Sequence, residues 1–239
     1  MDASVLIHFT DRFGGVSAAP FESNNLAYHV ADNPLHVKAN RTFTCKALGI
    51  SWMADMEQVH GTAVRIATER ANRTFEACDG LITQMENLAL MVLVADCIPV
   101  LMHDPKTRTV AAVHAGRAGA FGGIVLEALR AMRETFGVQP EHLHVSLGPS
   151  IGGCCYELDG AALEEAKKRF GAHVHGRTLD LRALVEGQLK AAGVLHVKST
   201  FGCTCCDTRY FSYRRDKTTG RQAGIIMLKG EDESKKRSL

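Results

Sequence analysis

The stretch Leu88-Ala-Leu-Met-Val-Leu-Val94-Ala-Asp96-Cys97-Ile98-Pro99-Val-Leu-Met102, followed by Val110-Ala-Ala-Val113-His114-Ala-Gly116, decides the fold class. The runs Leu88 to Val94, Pro99 to Met102 and Val110 to Val113 are short and apolar without alternation, the signature of strands covered on both faces. Working outward, Val5 to Phe9, Val64 to Ala67, Leu81 to Thr83, Leu143 to Leu147, Tyr210 to Tyr213 and Ala223 to Leu228 also read as strands. Pro34 to Leu48 reads as a helix, with proline in its first turn and Gly49 closing it. Ala120 to Phe136 is a second, because Val125, Leu129, Met132 and Phe136 stack on one face. Asp159 caps a third that runs to about Phe170, with Leu163 and Ala166 inward. Asp180 caps a fourth, with Leu181, Leu184, Val185 and Leu189 inward and Gly193 at its end. Strands outnumber helices and do not alternate strictly with them, so the expected class is α+β with mixed sheets, not a doubly wound parallel sheet. Residues 1–229 read as one domain. Thr10 to Asn33 is a long irregular segment of the kind that is usually functional, and Gly230 to Leu239 a charged, disordered tail.

The chain has 239 residues, 46% of them apolar and 23% charged, with a formal net charge of +2. That charge is too small to argue for nucleic acid, and the one basic cluster, Tyr213 to Lys217, reads as a solvated strand end. Met1 to Thr10 lacks the pattern of a signal peptide and no apolar run could span a bilayer, so the expected setting is the cytoplasm, with no membrane partner. Eight cysteines fit that compartment as reduced thiols. Cys154-Cys155 and Cys203-Thr204-Cys205-Cys206 make a poor disulfide framework; they read as small buried apolar side chains, not as the C-x-x-C pair of a zinc ribbon.

Chemistry concentrates in three short motifs beside these strands: Gln58-Val-His60-Gly61, Ala95-Asp96-Cys97-Ile-Pro99 and Val113-His114-Ala-Gly116. Two imidazoles and one thiolate suit Zn²⁺ with the fourth position open, and an open position belongs to catalysis, not to structural zinc. His60, Cys97 and His114 are far apart in sequence, as ligands gathered from different elements are. The same donors have the composition of a blue-copper site, with Met91 and Met102 as axial candidates, but no compact Cys–His–Met loop accompanies them. Asp79 and Asp96 stand nearby; either could orient a ligand imidazole or act as a general base. The turn His114-Ala-Gly116-Arg117-Ala-Gly119 leads toward a helix N-terminus, which suits phosphate, or else packs backbone tightly against a neighbour.

Taken together these motifs resemble the laccase-domain (YfiH-like) family, over nearly the whole chain. Beside the three motifs above, the resemblance rests on Arg12-Phe-Gly14-Gly15-Val-Ser17, His29-Val-Ala-Asp32-Asn33-Pro34, Asn40-Arg41, Asp79-Gly80-Leu-Ile-Thr83 and Leu147-Gly148-Pro149-Ser150-Ile-Gly152. It continues through Cys155-Tyr156-Glu157, Cys203-Thr204-Cys205, Phe211-Ser-Tyr213-Arg214-Arg215-Asp216 and Thr219-Gly220-Arg221. The resemblance implies a layered α+β domain of mixed sheets flanked by helices and a Zn²⁺ site at His60, Cys97 and His114, with copper as an alternative ion. It implies phosphorolysis of adenosine, inosine and S-methyl-5′-thioadenosine, together with adenosine deamination. Purine nucleosides and phosphate are then the partners, and Arg12, Arg41 and Arg117 the candidate anion-binding residues. Alternatives within the same resemblance are a cysteine or metal hydrolase that edits peptidoglycan precursors, and copper-dependent oxidation of polyphenols. One departure matters: the family usually reads His-Ala-Gly-Trp-Arg-Gly where this chain has His114-Ala-Gly116-Arg117-Ala118-Gly119, so the tryptophan is gone and the arginine stands one place earlier.

Overall fold

The fold is described from a computed structural model for residues 4–199 and 202–230. The chain runs β1 (Val5–Phe9), α1 (Pro34–Leu48), β2 (Trp52–Met56), β3 (Val64–Ile66), β4 (Arg73–Phe75), β5 (Gly80–Thr83), β6 (Leu88–Val94), β7 (Ile98–Asp104) and β8 (Thr109–Ala115). It continues α2 (Arg117–Gly122), α3 (Ile124–Phe136), β9 (His144–Leu147), α4 (Gly160–Phe170), β10 (Val174–His175), β11 (Thr178–Leu179), α5 (Leu181–Ala191), β12 (His196–Ser199), α6 (Tyr213–Asp216) and β13 (Gln222–Leu228). Two mixed sheets result, of order β1-β13-β6-β2-β4 and β12-β9-β7-β8-β5-β3, with a small β10–β11 ribbon beside them. The expected α+β class holds.

The central strands lack polar alternation because both of their faces are covered. Along β6, Leu88, Leu90, Val92 and Val94 meet Leu101, Val110 and Ala112 of the second sheet, while Ala89, Met91 and Leu93 face Leu26 and Ile50 beneath α1. Along β8, Ala111, Val113 and Ala115 turn instead to α3, α4 and α5. The order is therefore helix, sheet, sheet, helices, with the period-two parity of each strand deciding which layer a side chain joins. His114 shares the parity of Val110 and Ala112, so it points into the seam between the sheets. No helix among the described residues is long and apolar enough to cross a membrane.

Several sequence expectations need correction. The helix expected over Ala120 to Phe136 is two helices. Gly123 adopts φ +83°, closes α2 through its N–H to Ala120 and Gly119 carbonyls, and redirects the chain into α3. Only glycine takes that backbone state without strain. Tyr210 to Tyr213 is not a strand: Ser212 accepts the Arg215 N–H and caps the short helix α6, so the basic cluster forms a helical turn. Asp159 precedes α4 but makes no side-chain cap, whereas Asp180 does accept from Ala183 N–H. The cysteine clusters are not buried apolar filler, since Cys154 and Cys206 are exposed and Cys155 and Cys203 half-buried. Nor was C-x-x-C spacing absent, because Cys203 and Cys206 have it. Of the expected tail, Gly230 hydrogen-bonds Asn87 and the remainder lies outside the described residues.

Candidate metal centre

The three motif residues converge at the seam where the chain passes from one sheet to the other. Cys97 sits in the crossover from β6 to β7, His60 in the loop from β2 to β3, and His114 near the end of β8, opposite Pro99 of β7. Their donor atoms all lie within 4.8 Å of one another. The His60 and His114 rings meet edge to face, with centroids 4.7 Å apart. His114 is buried, Cys97 half-buried and His60 exposed, so the cluster is closed at its base and open on one side.

Asp79 organises this arrangement from behind. It is fully buried, and its Oδ1 lies 2.7 Å from His114 Nδ1. Its two oxygens also accept the backbone N–H groups of Val59, His60 and Gly61 at 3.3, 3.0 and 2.7 Å. Burial pushes its pKa up, but the His114 hydrogen bond and the Gly61 and His60 N–H groups outweigh this and hold the carboxyl below its usual range. One carboxylate thus fixes the His114 ring, turns its other nitrogen toward the cluster, and anchors the loop that carries His60. His60 itself has φ +60°, a strained state for a non-glycine residue, and its N–H bond to Asp79 helps to hold it there. Gly116 completes the close approach: a Cβ there would stand 2.9 Å from His60 Cδ2 and 3.0 Å from Cys97 Sγ. The Gly-rich turn therefore serves as tight packing against the cluster, and it opens a helix of only six residues.

Of the two acids weighed from sequence, Asp79 is the one that orients an imidazole. Asp96 is used differently. Its Oδ1 accepts Thr204 Oγ1 at 2.6 Å and its Oδ2 the Arg214 N–H at 2.8 Å, so it ties the Cys97 crossover to the C-terminal turns.

Burial pushes the Cys97 thiol up, yet the His114 and His60 imidazoles dominate and bring it down to about 6. Burial alone lowers His114, but the Cys97 thiolate and Asp79 raise it to about 9. Without a metal the pair is therefore a thiolate facing an imidazolium. With bonds of about 2.0–2.3 Å, a tetrahedral Zn²⁺ needs donors roughly 3.3–3.8 Å apart. The sulfur and two imidazoles fit such an ion with small side-chain adjustments and leave its fourth position on the open side.

That side is a cavity of about 440 Å³. Leu93, Val94 and Ile151 make its apolar walls, and His29, Tyr156 and Arg221 bring polar groups to it. Burial, reinforced by the Cys97 charge, pushes the Tyr156 phenol up to about 12, so it stays a donor. Burial lowers His29, and Arg221 and Arg41 add to the effect, so it stays neutral. Of the arginines expected from sequence, Arg117 follows Gly116 and its charge partly opposes the rise of the Tyr156 phenol. None of the three lines this cavity, and Arg117 instead faces the Phe121 ring. Arg12 binds the Glu22 carbonyl and stacks on Phe211; Arg41 binds the Leu26 carbonyl and Asp55 and stacks on Tyr28. Sequence reasoning gave no role to Arg221, Tyr156 or His29, although each stands in a quoted motif. Position in those motifs was the only available signal.

Residues 6–229 match the family described as multi-copper polyphenol oxidoreductase laccase. The chain is 40% identical over 232 residues to a purine nucleoside phosphorylase of Corynebacterium glutamicum, covering 93% of this chain and 94% of that protein. It is 41% identical over 232 residues to a purine nucleoside phosphorylase of Streptomyces coelicolor, covering 92% and 94%. Among solved structures, the hypothetical protein YfiH of Bacillus licheniformis superimposes with TM-score 0.89 at 30% identity, covering 94% of this chain and 93% of that one. YlmD from Geobacillus stearothermophilus does so with TM-score 0.87 at 29% identity, covering 95% and 93%. A match that runs through both sheets and takes in all three donors of the seam makes this chain a member of the multi-copper polyphenol oxidoreductase laccase family, the laccase-domain group that its motifs resemble.

Proposed function

We propose that the protein is a zinc-dependent purine nucleoside phosphorylase that accepts adenosine, inosine and S-methyl-5′-thioadenosine and also deaminates adenosine. The observation that carries this reading is the three-donor cluster at the base of a cavity large enough for a nucleoside, with His114 locked by Asp79. His60, Cys97 and His114 hold the ion, which when bound supplies a Lewis-acid position facing the substrate. Leu93, Val94 and Ile151 enclose the purine, and Tyr156, kept protonated, donates a hydrogen bond to it. Phosphate attacks the ribose C1′ as the bond to the purine nitrogen breaks, and the departing base takes up a proton. In deamination, water replaces the exocyclic amine of adenosine. Arg221, which lines the cavity, receives the anion; Arg12 and Arg41 are committed elsewhere, and Arg117 faces the Phe121 ring outside the lining. Reduced thiols at all eight cysteines fit a cytoplasmic setting.

The test is incubation of purified protein with inosine and phosphate. Hypoxanthine release that a chelator abolishes and Zn²⁺ restores is the expected result; no release in zinc-replete protein sinks the reading. In the same assay Arg221→Met is expected to raise the KM for phosphate roughly 30-fold, since a charge-assisted hydrogen bond is worth about 2 kcal/mol. The KM for inosine should change far less. A phosphate KM unaltered by the substitution would remove Arg221 from anion binding.

A second reading has its own support in the thiolate–imidazolium pair. A cysteine hydrolase, including one acting on cell-wall precursors, needs Cys97 as a ready nucleophile and a histidine to deliver a proton. In metal-free protein, alkylation of Cys97 by iodoacetamide should rise as pH climbs through about 6 and level off well below pH 9, where an ordinary thiol is still titrating. Peptide mapping over a pH series checks this. Copper-dependent phenol oxidation at this site is limited to a single ion, because three donors cannot assemble a multicopper cluster.

A further inference from the structure

A second group of sulfur atoms gathers beside the cavity, and nothing in the chemistry above uses it. Cys154 and Cys155 lie in the turn that follows β9, and Cys203 and Cys206 in the turn that precedes α6. All four Sγ atoms lie within 4.8 Å of one another. Cys206 Sγ is 3.8 Å from Cys154 Sγ and 3.4 Å from Cys155 Sγ. A tetrahedral ion with Zn–S bonds of about 2.3 Å requires sulfurs about 3.8 Å apart. These separations match one ion and are too short to enclose a multi-iron cluster. Cys203 and Cys206 have C-x-x-C spacing, and the N–H groups of Gly152, Cys206 and Cys205 hydrogen-bond to the Cys203 sulfur, which disperses thiolate charge as amide–sulfur contacts do.

We propose that Cys154, Cys155, Cys203 and Cys206 bind a second Zn²⁺ as a closed tetrathiolate, separate from the His60–Cys97–His114 cluster. Four protein ligands leave no open position, so this ion is structural. What it holds follows from the surrounding bonds. Thr204 N–H binds the Ser150 carbonyl at 3.0 Å, so the two cysteine-bearing turns already touch. Arg214 donates to the Cys155 and Glu157 carbonyls, each at 3.0 Å, on either side of Tyr156. The ion cross-links these turns and fixes the wall of the cavity that Tyr156 forms. The proposal does not depend on the nucleoside reading, because its measurements are of metal and thiol, not turnover.

The experiment is metal analysis of the full chain purified with reductant. Two zinc ions per chain are expected in the parent protein. Cys203→Ser with Cys206→Ser should lose one ion, Cys97→Ser should lose the other, and the three changes together should lose both. Cys205→Ser, outside the ligand set, should lose none. Cobalt-reconstituted Cys97→Ser should show the intense visible bands of tetrathiolate cobalt, and these should vanish when Cys203→Ser and Cys206→Ser are added to it. If the cysteine variants do not fold, alkylation of the parent protein decides: Cys154, Cys155, Cys203 and Cys206 should be protected when zinc-loaded and modified after chelation. Unchanged metal content in a folded double variant, equal alkylation with and without chelator, or a disulfide among these four in reduced protein would each overturn the proposal.

Discussion

Cys97→Ser is expected to abolish phosphorolysis while leaving the fold intact. Cys97 brings the only anionic donor of its cluster, and the two imidazoles hold it as a thiolate near neutral pH. Serine keeps the size but presents a neutral, hard oxygen that binds Zn²⁺ weakly. Loss of a Lewis acid that lowers a barrier by about 4 kcal/mol slows turnover by roughly 10³-fold. The crossover itself has other supports: Asp96 is clamped by Thr204 and Arg214, and Ile98 is fully buried. Thermal unfolding should therefore move little. Hypoxanthine release from Cys97→Ser within tenfold of the parent rate would remove this thiolate from the reaction. If the variant keeps the full zinc content of the parent yet loses activity, a nucleophilic cysteine gains ground over a ligand.

Asp79→Asn should cost both metal affinity and stability, even though the side chain changes by a single atom. Oδ1 receives His114 Nδ1 and the His60 N–H, and Oδ2 receives the Gly61 and Val59 N–H groups. Whichever way an asparagine amide is turned, its NH₂ opposes N–H donors in a fully buried position. Leaving such donors unsatisfied costs about 1–3 kcal/mol, which for a domain of this size lowers the Tm by roughly 2–12 °C. His114 loses the charge that fixes its ring, and outer carboxylates of this kind are worth about 10- to 100-fold in metal affinity. Chelator competition and calorimetry on the same preparation test both parts. Parent-like zinc affinity in Asp79→Asn would show that the ring is held in place without the carboxylate.

Much of this architecture is legible along the chain because the physics that sets it is local. Pro34 and Gly49 bracket α1 at its observed ends, and the uninterrupted apolar runs of β6, β7 and β8 announce strands covered on both faces. The three residues that cluster at the seam are legible too, Cys97 and His114 beside buried strands and His60 in a motif ending at Gly61. What escapes is tertiary. The edge strands β4 and β12 begin with exposed residues and carry little apolar signal, and in β2 the short apolar run is interrupted by Asp55, so all three escape a reading of the sequence. The break at Gly123 is hidden by a side-chain pattern that continues across it. Arginine is the hardest residue to place, because its guanidinium reaches whichever carbonyl or carboxylate folding brings near. Arg12 and Arg41 are engaged away from the cavity, whereas Arg221 comes to it from the far end of the chain. The four-sulfur group is likewise invisible until Cys154-Cys155 and Cys203 to Cys206 are brought face to face.

The position of β13 carries a consequence for biogenesis. Gln222–Leu228 lies between β1 and β6, antiparallel to both, so the earliest and central strands of that sheet cannot neighbour one another directly. Contacts joining such distant parts of a polypeptide form late. A ribosome-tethered chain that has exposed all three donors but not yet emitted this strand would carry a gap through the sheet supporting Gln58 and Leu93. Where the seam cluster takes up an ion as proposed, capture during synthesis should wait until this strand joins the sheet, and maturation should then behave as an all-or-none event.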